Sequence, residues 1–522
     1  MFKAIIFLFT VVCFSKVYAA NSQYTLAFRD DPSTSVVIGW SGDFGVLYYG
    51  TSDLGTDFAS YPNSKVVDRS ATRHGINRQF VRLTGLQPKT VYYFVVRDAS
   101  GSVSARYKFK TLSDNPADPI AFISGGDTRD GFKALGIYIE NCPSGNCLEQ
   151  KRKGNRLVAK LRPDFVAFNG DFVMNQITSN TTNEWNEWLN DWQLTVAPDG
   201  RMFPMTFTQG NHEDNQDIYN IFDVPLEEYY ALNINNGLLR LYMLNSEKNP
   251  CTETNQLNWL TNDLQNHTNT TNAPYWKFMQ YHVSTLAMGN GYGLVPNQMN
   301  CWVPLFEQYG VKLCMESHSH VTKWTLPCKR NANGSDFVPD PTGIVYIGEG
   351  NWGAPHRTLD FTGNNRKPYI KDQEVFDNFF YIRVNTDQTF IECARFENVE
   401  NVVAHTSDDY GKTLPQGVSL WNPANGNFIV INNETQSTGN NSMSFSKVSP
   451  NPTKDLIKIE FPQNIGGTVE VYNALGKLQM KQPFNPSKSV DVSLKDLETG
   501  LLYVYIKTND GKIQSHRVVK IE

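Results

Sequence analysis

Five short apolar runs, each followed at once by a polar cluster, constrain this chain of 522 residues more than any other feature. Mostly apolar runs of this length are typical of strands buried on both faces of a sheet. Helical stretches between them, such as 155–161 and 183–193, predict alternating strands and helices, and hence an α/β sandwich. The runs and their polar followers are Ile120–Ile123 before Gly126-Asp127-Thr128-Arg129, Phe165–Phe168 before Asn169-Gly170-Asp171, Met205–Thr208 before Gly210-Asn211-His212-Glu213, Trp276–Met279 before Tyr281-His282, and Val311–Met315 before Ser317-His318-Ser319-His320.

The polar clusters are expected to meet at one edge of the domain. In α/β folds, ligands bind beyond the carboxyl ends of the strands, which is where all five clusters fall. Together they offer carboxylates, imidazoles and an amide oxygen, a donor set suited to zinc, iron or manganese. A carboxylate shared by two cations would hold them about 3.5–4 Å apart, the geometry of a two-metal hydrolase.

The order of these clusters resembles that of the calcineurin-like metallophosphoesterases and, together with the front module described below, most of all that of the purple acid phosphatases. The resemblance implies hydrolysis of phosphate monoesters through a dinuclear metal centre and a metal-bound hydroxide. It implies that His212 stabilises the transition state or protonates the leaving group. It also implies a ligand set: Asp127 and His320 at the first metal, Asp171 as the bridge, and Asn211, His282 and His318 at the second metal.

Two departures from the family pattern bear on the metals and the substrate. Met174 stands where purple acid phosphatases have a metal-binding tyrosine, so a purple tyrosinate–ferric centre is not expected. Asn175 could supply a replacement oxygen. Arg129 stands where other relatives have a histidine ligand; being always protonated, it cannot bind a metal, but its fork suits a phosphate. We expect Arg129 to bind substrate or orient Asp127, with a structural salt bridge as the alternative, and two divalent or mixed-valence ions of zinc, iron or manganese.

The front of the chain, residues 22–113, is predicted to be an all-β domain. Apolar stretches such as 36–40 and 46–50 are typical of strands, and Tyr92 follows a turn at 86–90 in the pattern of a tyrosine corner. The segment resembles a fibronectin type III domain, an immunoglobulin-like sandwich, of the kind found in front of purple acid phosphatases. We expect it to support the catalytic domain, at 118–400, by packing.

The two ends of the chain indicate export. Residues 1–19 have the charged start, apolar run and small cleavage-site residues of a signal peptide, and no later stretch is long and apolar enough to span a membrane. Residues 401–443, poor in apolar side chains, predict a linker. Residues 444–522 predict a C-terminal all-β sandwich and resemble a type IX secretion sorting domain through Ser449-Pro450-Asn451-Pro452, Tyr472–Lys477 and Gly500-Leu501-Leu502-Tyr503. The resemblance implies a Gram-negative source, contact with the type IX machinery, and a secreted or cell-surface location. An ordinary small β-sandwich, which could bind sugars, is the alternative for the tail.

Export also implies an oxidising compartment, in which cysteines can pair. Cys142 and Cys147 lie close enough around a turn to form a disulfide. The remaining cysteines of the exported chain form an odd set, so at least one thiol stays free or pairs outside the chain. Cys314 lies in an apolar run and is expected to be buried. The set is Cys251, Cys301, Cys314, Cys328 and Cys393.

Other residues and functions remain as alternatives. The helical stripe of Trp185, Trp188 and Trp192 is interpreted as core, and His356 as a loop histidine that could line the pocket. A net charge of −5 argues against a protein that coats nucleic acid. A phosphodiesterase or pyrophosphatase could use the same metal pair. From another class, a non-catalytic surface protein could bind glycans through its β domains.

Overall fold

The computed structural model describes most of the chain. The signal-peptide prediction at 1–19 and parts of the tail turns predicted at 473–476 and 509–512 lie outside the described residues. Those are 21–131, 133–134, 137–138, 140–142, 145–175, 181–271, 273–408, 412–433, 446–473, 478–509 and 513–521. Within them, no helix combines the length and the apolar character that crossing a membrane requires.

The front domain consists of β-strands in two sheets. Its buried core, which includes Trp40, Leu47, Phe94 and Phe109, draws side chains from both sheets. The hydroxyl of Tyr92 accepts a hydrogen bond from the backbone amide of Gln87 at 2.8 Å, the contact that the tyrosine-corner pattern predicts. The strands are β1 (Ser22–Ala27), β2 (Val36–Ser41), β3 (Gly45–Gly50), β4 (Asn63–Val66), β5 (Arg69–Arg73), β6 (Ile76–Leu83), β7 (Val91–Asp98) and β8 (Tyr107–Lys110), with a 3-10 turn at Phe58–Ser60.

The central domain alternates strands and helices, as the apolar runs predict. Its helices are α1 (Cys147–Leu161), α2 (Thr181–Trp192), α3 (Asp217–Phe222), α4 (Thr254–Asn266), α5 (Pro296–Cys301) and α6 (Val303–Gln308). Its strands are β9 (Ile120–Gly125), β10 (Lys133–Ala134), β11 (Ile137–Tyr138), β12 (Phe165–Phe168), β13 (Met205–Phe207), β14 (Tyr230–Ile234), β15 (Leu239–Met243), β16 (Trp276–Val283), β17 (Leu313–Ser317), β18 (Thr322–Thr325), β19 (Cys328–Arg330), β20 (Phe337–Pro339), β21 (Val345–Gly348), β22 (Ile370–Glu374), β23 (Asn378–Val384), β24 (Gln388–Arg395) and β25 (Ile429–Asn432).

Two sheets and the helices packed on them form the main core of this domain. One has seven strands in the order β14-β15-β16-β17-β21-β18-β22, and the other has ten in the order β25-β24-β23-β9-β12-β13-β1-β2-β6-β5. That core includes Phe122, Phe168 and Phe207 from the ten-stranded sheet and Phe278 and Met315 from the seven-stranded one, and Phe168 and Phe207 pack on α2 and α3. The tryptophans of α2 are buried in the same core, as their helical stripe predicts.

The ten-stranded sheet runs through the domain boundary. Strand β1 of the front domain pairs in parallel with β13 of the central domain at Ala27 and Met205, and the Phe28 amide donates to the Met205 carbonyl at 2.9 Å. One half of the front domain is therefore a direct extension of the sheet that carries three of the polar clusters.

The C-terminal region is rich in β-structure. It forms a five-stranded antiparallel sheet around a small core of its own, which includes Ile457, Val471 and Val504. Aromatic contacts link it to the central domain, since the ring of Phe428 lies 5.3 Å from that of Tyr472 and 5.6 Å from that of Tyr505. The strands are β26 (Lys447–Ser449), β27 (Leu456–Asn473), β28 (Leu478–Ser493), β29 (Gly500–Thr508) and β30 (Ile513–Lys520).

The linker prediction at 401–443 is wrong for the described residues 412–433. Trp421 is buried, its ring lies 4.5 Å from that of Trp324, and its indole nitrogen donates to Glu374 at 2.7 Å. Strand β25 then pairs with β24 as the edge of the ten-stranded sheet. This segment belongs to the central domain, because a few well-placed aromatic and aliphatic side chains anchor an otherwise polar stretch.

The cysteines are used in two disulfides and three thiols among the described residues. The predicted Cys142–Cys147 disulfide is confirmed, and a second one joins Cys251 to Cys301. The expectation of a free thiol is also met. Cys314, Cys328 and Cys393 are free and buried, as predicted for Cys314.

Candidate metal centre

The five apolar runs all form strands, and their polar followers converge. Asp127 follows β9, Asp171 follows β12, Asn211 follows β13, His282 is the last residue but one of β16, and His318 follows β17. Because β9, β12 and β13 are parallel, as are β16 and β17, their carboxyl ends open on one edge. The predicted rim therefore exists in the fold.

The first group of side chains contains Asp127 and His320. Both are fully buried, and the Asp127 Oδ1 and His320 Nε2 atoms face each other at 3.1 Å. Neither atom has a hydrogen-bond partner among the residues that the structure describes. The other oxygen of Asp127 accepts the backbone amide of His318 at 2.9 Å, which fixes the carboxylate.

The second group contains His282, His318 and Asn211. The Asn211 Oδ1 atom lies 3.1 Å from His282 Nε2 and 2.8 Å from His318 Nδ1. The two imidazole nitrogens are 3.3 Å apart. His282 Nε2 also lies 3.3 Å from Asp171 Oδ1, so the donors of this group point at one small volume.

Asp171 belongs to both groups. Asp127, Asp171 and His320 offer ligand atoms that lie within 4.8 Å of one another, and so do Asp171, His282 and His318. A shared carboxylate is the feature expected of two adjacent cation sites. All six ligand residues expected from the sequence thus gather in one place.

Backbone carbonyls determine which imidazole nitrogen is available. The Nδ1 atom of His282 lies 2.7 Å from the Asn169 carbonyl, and that of His320 lies 2.7 Å from the Pro355 carbonyl. A carbonyl can only accept, so both Nδ1 atoms carry the hydrogen, and in the neutral rings Nε2 is left as a lone-pair donor. Two acceptors, Asp127 Oδ1 and His320 Nε2, then face each other without a hydrogen between them. A cation fits that pair.

The histidine pKa values reflect the same crowding. Burial alone would lower the pKa of His282, but the carboxylates of Asp171 and Asp127 together raise it to about 9. Burial and the neighbouring His282 lower the pKa of His318 to about 4. A proton and a cation would therefore compete for the same nitrogen of His282.

The ligand loops adopt unusual backbone conformations. Asp127, Asp171, His318 and His320 have φ values between 53° and 85°, a left-handed region that side chains other than glycine rarely occupy. Such conformations cluster at functional sites. At Gly210, a Cβ atom would lie 2.2 Å from Asp171 Oδ1, so only glycine allows the Asp171 carboxylate to come this close.

Glu213 holds the backbone of Asp171, the residue expected to bridge, through contacts that sequence reasoning missed. One of its carboxylate oxygens accepts the backbone amides of Asp171 at 2.9 Å and Gly210 at 2.8 Å, and the other accepts that of Phe172 at 2.9 Å. The side chain is buried. The sequence signal that could have indicated this role is the position of Glu213 in the Gly210-Asn211-His212-Glu213 cluster.

His212 lies beside the Asp171 carboxylate. Its Nε2 atom is 3.8 Å from Asp171 Oδ2, and its Nδ1 atom is 3.3 Å from the Met174 carbonyl. Burial lowers the pKa of His212 below its ordinary value. The amide nitrogen of Asn175 donates to Asp217 at 3.1 Å, and the suggestion that its side-chain oxygen replaces a ligand stays a prediction.

Arg129 is neutralised by an acidic partner. Its two terminal nitrogens each lie 3.1 Å from an oxygen of Glu140, and one also contacts the Met174 sulfur at 3.3 Å. The side chain is buried. This is the arrangement of the structural alternative considered for Arg129.

Arg357 and Tyr292 are further residues at the site that sequence reasoning missed. The Arg357 guanidinium contacts the Tyr292 hydroxyl and lies 3.4 Å from the His318 carbonyl. The Tyr292 ring packs on the His318 ring at 4.9 Å. Within the described part of the chain, no carboxylate forms an ion pair with half-buried Arg357. His356, by contrast, is paired with Asp377 at 3.1 Å.

Profiles of three families match successive parts of the chain. Residues 21–111 match the purple acid phosphatase N-terminal domain, residues 126–322 match the calcineurin-like phosphoesterases, and residues 447–520 match the secretion system C-terminal sorting domain. The last match indicates type IX secretion, and the second implies divalent metal ions.

Relatives and solved structures agree with these matches. Two uncharacterized proteins of Mycobacterium tuberculosis, from strains CDC 1551 and H37Rv, are each 24% identical over 391 residues, covering 64% of this chain and 70% of theirs. The fold is similar to that of the purple acid phosphatase PPD1 from yellow lupin, Lupinus luteus (TM-score 0.58, 14% identity, 80% of this chain and 75% of that one), and of PhoD (TM-score 0.53, 13% identity, 78% and 90%). The chain therefore resembles the calcineurin-like metallophosphoesterases of purple acid phosphatase type, and these similarities support its assignment as a hydrolase.

Proposed function

We propose that the protein is a secreted phosphatase that hydrolyses phosphate monoesters at a pair of divalent cations. One observation carries the proposal: two groups of ligand atoms share the Asp171 carboxylate. Asp127 and His320 would hold one cation, Asn211, His282 and His318 the other, and Asp171 both. When bound, such cations supply Lewis acidity and lower the pKa of a bound water to about 7.

The surrounding side chains support phosphate as the group that is bound. Arg357 offers a guanidinium without an acidic partner among the described residues, next to the His318 carbonyl. Its planar fork matches the oxygens of a phosphoryl group. Arg129 forms an ion pair with Glu140. We therefore propose that Arg129 mainly stabilises the part of the site around Glu140 and adds less positive charge to the site than Arg357 does.

His212 is proposed to donate the proton that the leaving group needs. With its Nδ1 hydrogen directed at the Met174 carbonyl, its Nε2 atom lies on the side of Asp171. Because burial lowers its pKa, the protonated form gives up its proton more readily than an exposed imidazolium would.

A substrate panel tests the proposal. The purified protein, loaded with Zn²⁺ or Mn²⁺, is assayed with p-nitrophenyl phosphate, bis-p-nitrophenyl phosphate and pyrophosphate, with the Asp171→Asn variant as control. We expect the highest kcat/KM for the monoester. A higher value for the diester or the diphosphate would favour a phosphodiesterase or a pyrophosphatase instead. Metal-loaded protein inactive on all three would favour the glycan-binding alternative.

A further inference from the structure

The turn between β5 and β6 of the front domain reaches into the central domain beside the metal loops. Arg73, the last residue of β5, and His74, in the turn, meet Asp217, the first residue of α3. Asp217 is fully buried. Its Oδ1 atom accepts a hydrogen bond from Arg73 Nε and lies 2.8 Å from His74 Nε2. A carboxylate oxygen can only accept, so both front-domain residues donate to it.

The other oxygen of Asp217 faces the metal loops. It accepts the side-chain amide of Asn175 at 3.1 Å and the backbone amide of Asp214 at 2.9 Å. Asn175 is four residues after the bridging Asp171, and Asp214 is three residues after Asn211. One buried carboxylate therefore ties two ligand loops to each other and to the front domain.

The turn that supplies these donors is itself firmly seated. The His74 ring stacks on Trp185 of α2 at a centroid distance of 6.5 Å. Gly75 approaches α2 so closely that a Cβ atom there would lie 3.3 Å from the Thr182 hydroxyl. Arg73 also pairs with Asp214 at 3.7 Å. A turn held at these points can fix the position of Asp217.

We propose that Asp217, clamped by Arg73 and His74, is a positioning residue for the metal centre, so that the front domain completes the site instead of only supporting the fold. The inference rests on the proposed metal centre. When a residue that orients metal ligands without binding the metal itself is lost, the metal affinity typically falls 10- to 100-fold. The clamp holds the loops of the bridging ligand and of one second-site ligand, so its loss should weaken both sites.

The test compares two disruptions of the same interface. The Arg73→Ala/His74→Ala variant removes the clamp. Arg82→Ala is the matched control, because Arg82 donates from β6 to Asp223, just past the other end of α3, at 2.7 and 2.8 Å. Both changes remove front-domain donors from a buried aspartate. Mn²⁺ is titrated into each full-length protein and into the wild type, free Mn²⁺ is followed by EPR, and thermal unfolding is measured without metal.

We expect the double variant to bind Mn²⁺ at least tenfold more weakly than Arg82→Ala, with a similar loss of thermal stability in both. The Arg73→Ala/His74→Gln variant, which keeps one donor, should recover part of the affinity. Equal Mn²⁺ affinity in the double variant and in Arg82→Ala would overturn the clamp and leave the proposed function standing. A wild-type protein that binds no Mn²⁺ and no Zn²⁺ would instead overturn both.

Discussion

The Glu213 carboxylate accepts the backbone amide of Asp171, the proposed bridging ligand, at 2.9 Å and holds the two neighbouring loops with its remaining contacts. In Glu213→Gln, one oxygen becomes an amide donor that faces at least one backbone N–H group. Leaving such a buried group unsatisfied costs about 1–3 kcal/mol. We expect metal affinity to fall by about 10- to 100-fold, measured by chelator competition.

Asp98→Asn is the control for this change. Asp98 is also buried and accepts a backbone amide, from Ser102 at 2.8 Å, but it lies in the front domain away from the metal loops. It should lower the unfolding temperature without changing metal affinity. Unchanged metal affinity in Glu213→Gln would show that Glu213 does not position the bridge.

The two arginines near the site are expected to behave differently. Arg357→Ala removes a cation that no acidic side chain neutralises among the described residues, and a hydrogen bond to a charged group is worth about 1.5–3 kcal/mol. We expect kcat/KM for a phosphate monoester to fall by about 10- to 100-fold, with partial recovery in Arg357→Lys. Arg129→Ala breaks the ion pair with Glu140 and should mainly lower stability. A larger kinetic loss in Arg129→Ala than in Arg357→Ala would reverse these roles.

Trp421 should be essential to the stability of the central domain. Its side chain is 1% exposed, packs on Trp324 and donates to Glu374. Replacing a buried tryptophan by alanine costs about 3–5 kcal/mol. We expect Trp421→Ala to lower the free energy of unfolding by that amount in denaturant titrations. Val403→Ala, at a position 60% exposed in the same segment, should have little effect. Equal effects of the two changes would support the original linker prediction.

The C-terminal sheet should loosen in acid because of His516. Burial lowers the pKa of His516 to about 4, whereas an unperturbed histidine titrates near 6.5. As the pH falls from about 6.5 to about 4, His516 becomes protonated in the unfolded sheet but stays neutral in the folded sheet. The stability of the folded sheet therefore decreases over that interval. Hydrogen exchange of β29 and β30 should accelerate at pH 4.5 relative to pH 7, and less so in His516→Asn. Identical pH dependence in both proteins would exclude this role.

The sequence predicts the centre of the molecule better than its boundaries. The strands just before Asp127, Asp171 and His318 contain continuous apolar runs, and a polar residue after such a run is expected at the sheet edge. The proposed ligand set was therefore accessible from local pattern and family order. The pairing of β1 with β13 was not, because it joins Ala27 to Met205, far apart in the chain.

The missed residues share a physical reason. Tyr292 and Arg357 come from loops, whose paths depend on tertiary contacts and carry no periodic signal. The segment around Trp421 was misread because its apolar residues are sparse and only their partners, such as Trp324, reveal that they are buried. Composition alone cannot distinguish a linker from a polar segment that packs on the domain through a few buried side chains.

The most direct test of the shared-carboxylate centre is metal stoichiometry. Wild-type protein and Asp171→Asn, each reconstituted with Zn²⁺ and freed of excess ion, are analysed by elemental mass spectrometry alongside circular dichroism. A bridge between two sites predicts two equivalents in the wild type and fewer than one tightly held in the folded variant. A single equivalent in the wild type, or two retained by Asp171→Asn, would contradict it.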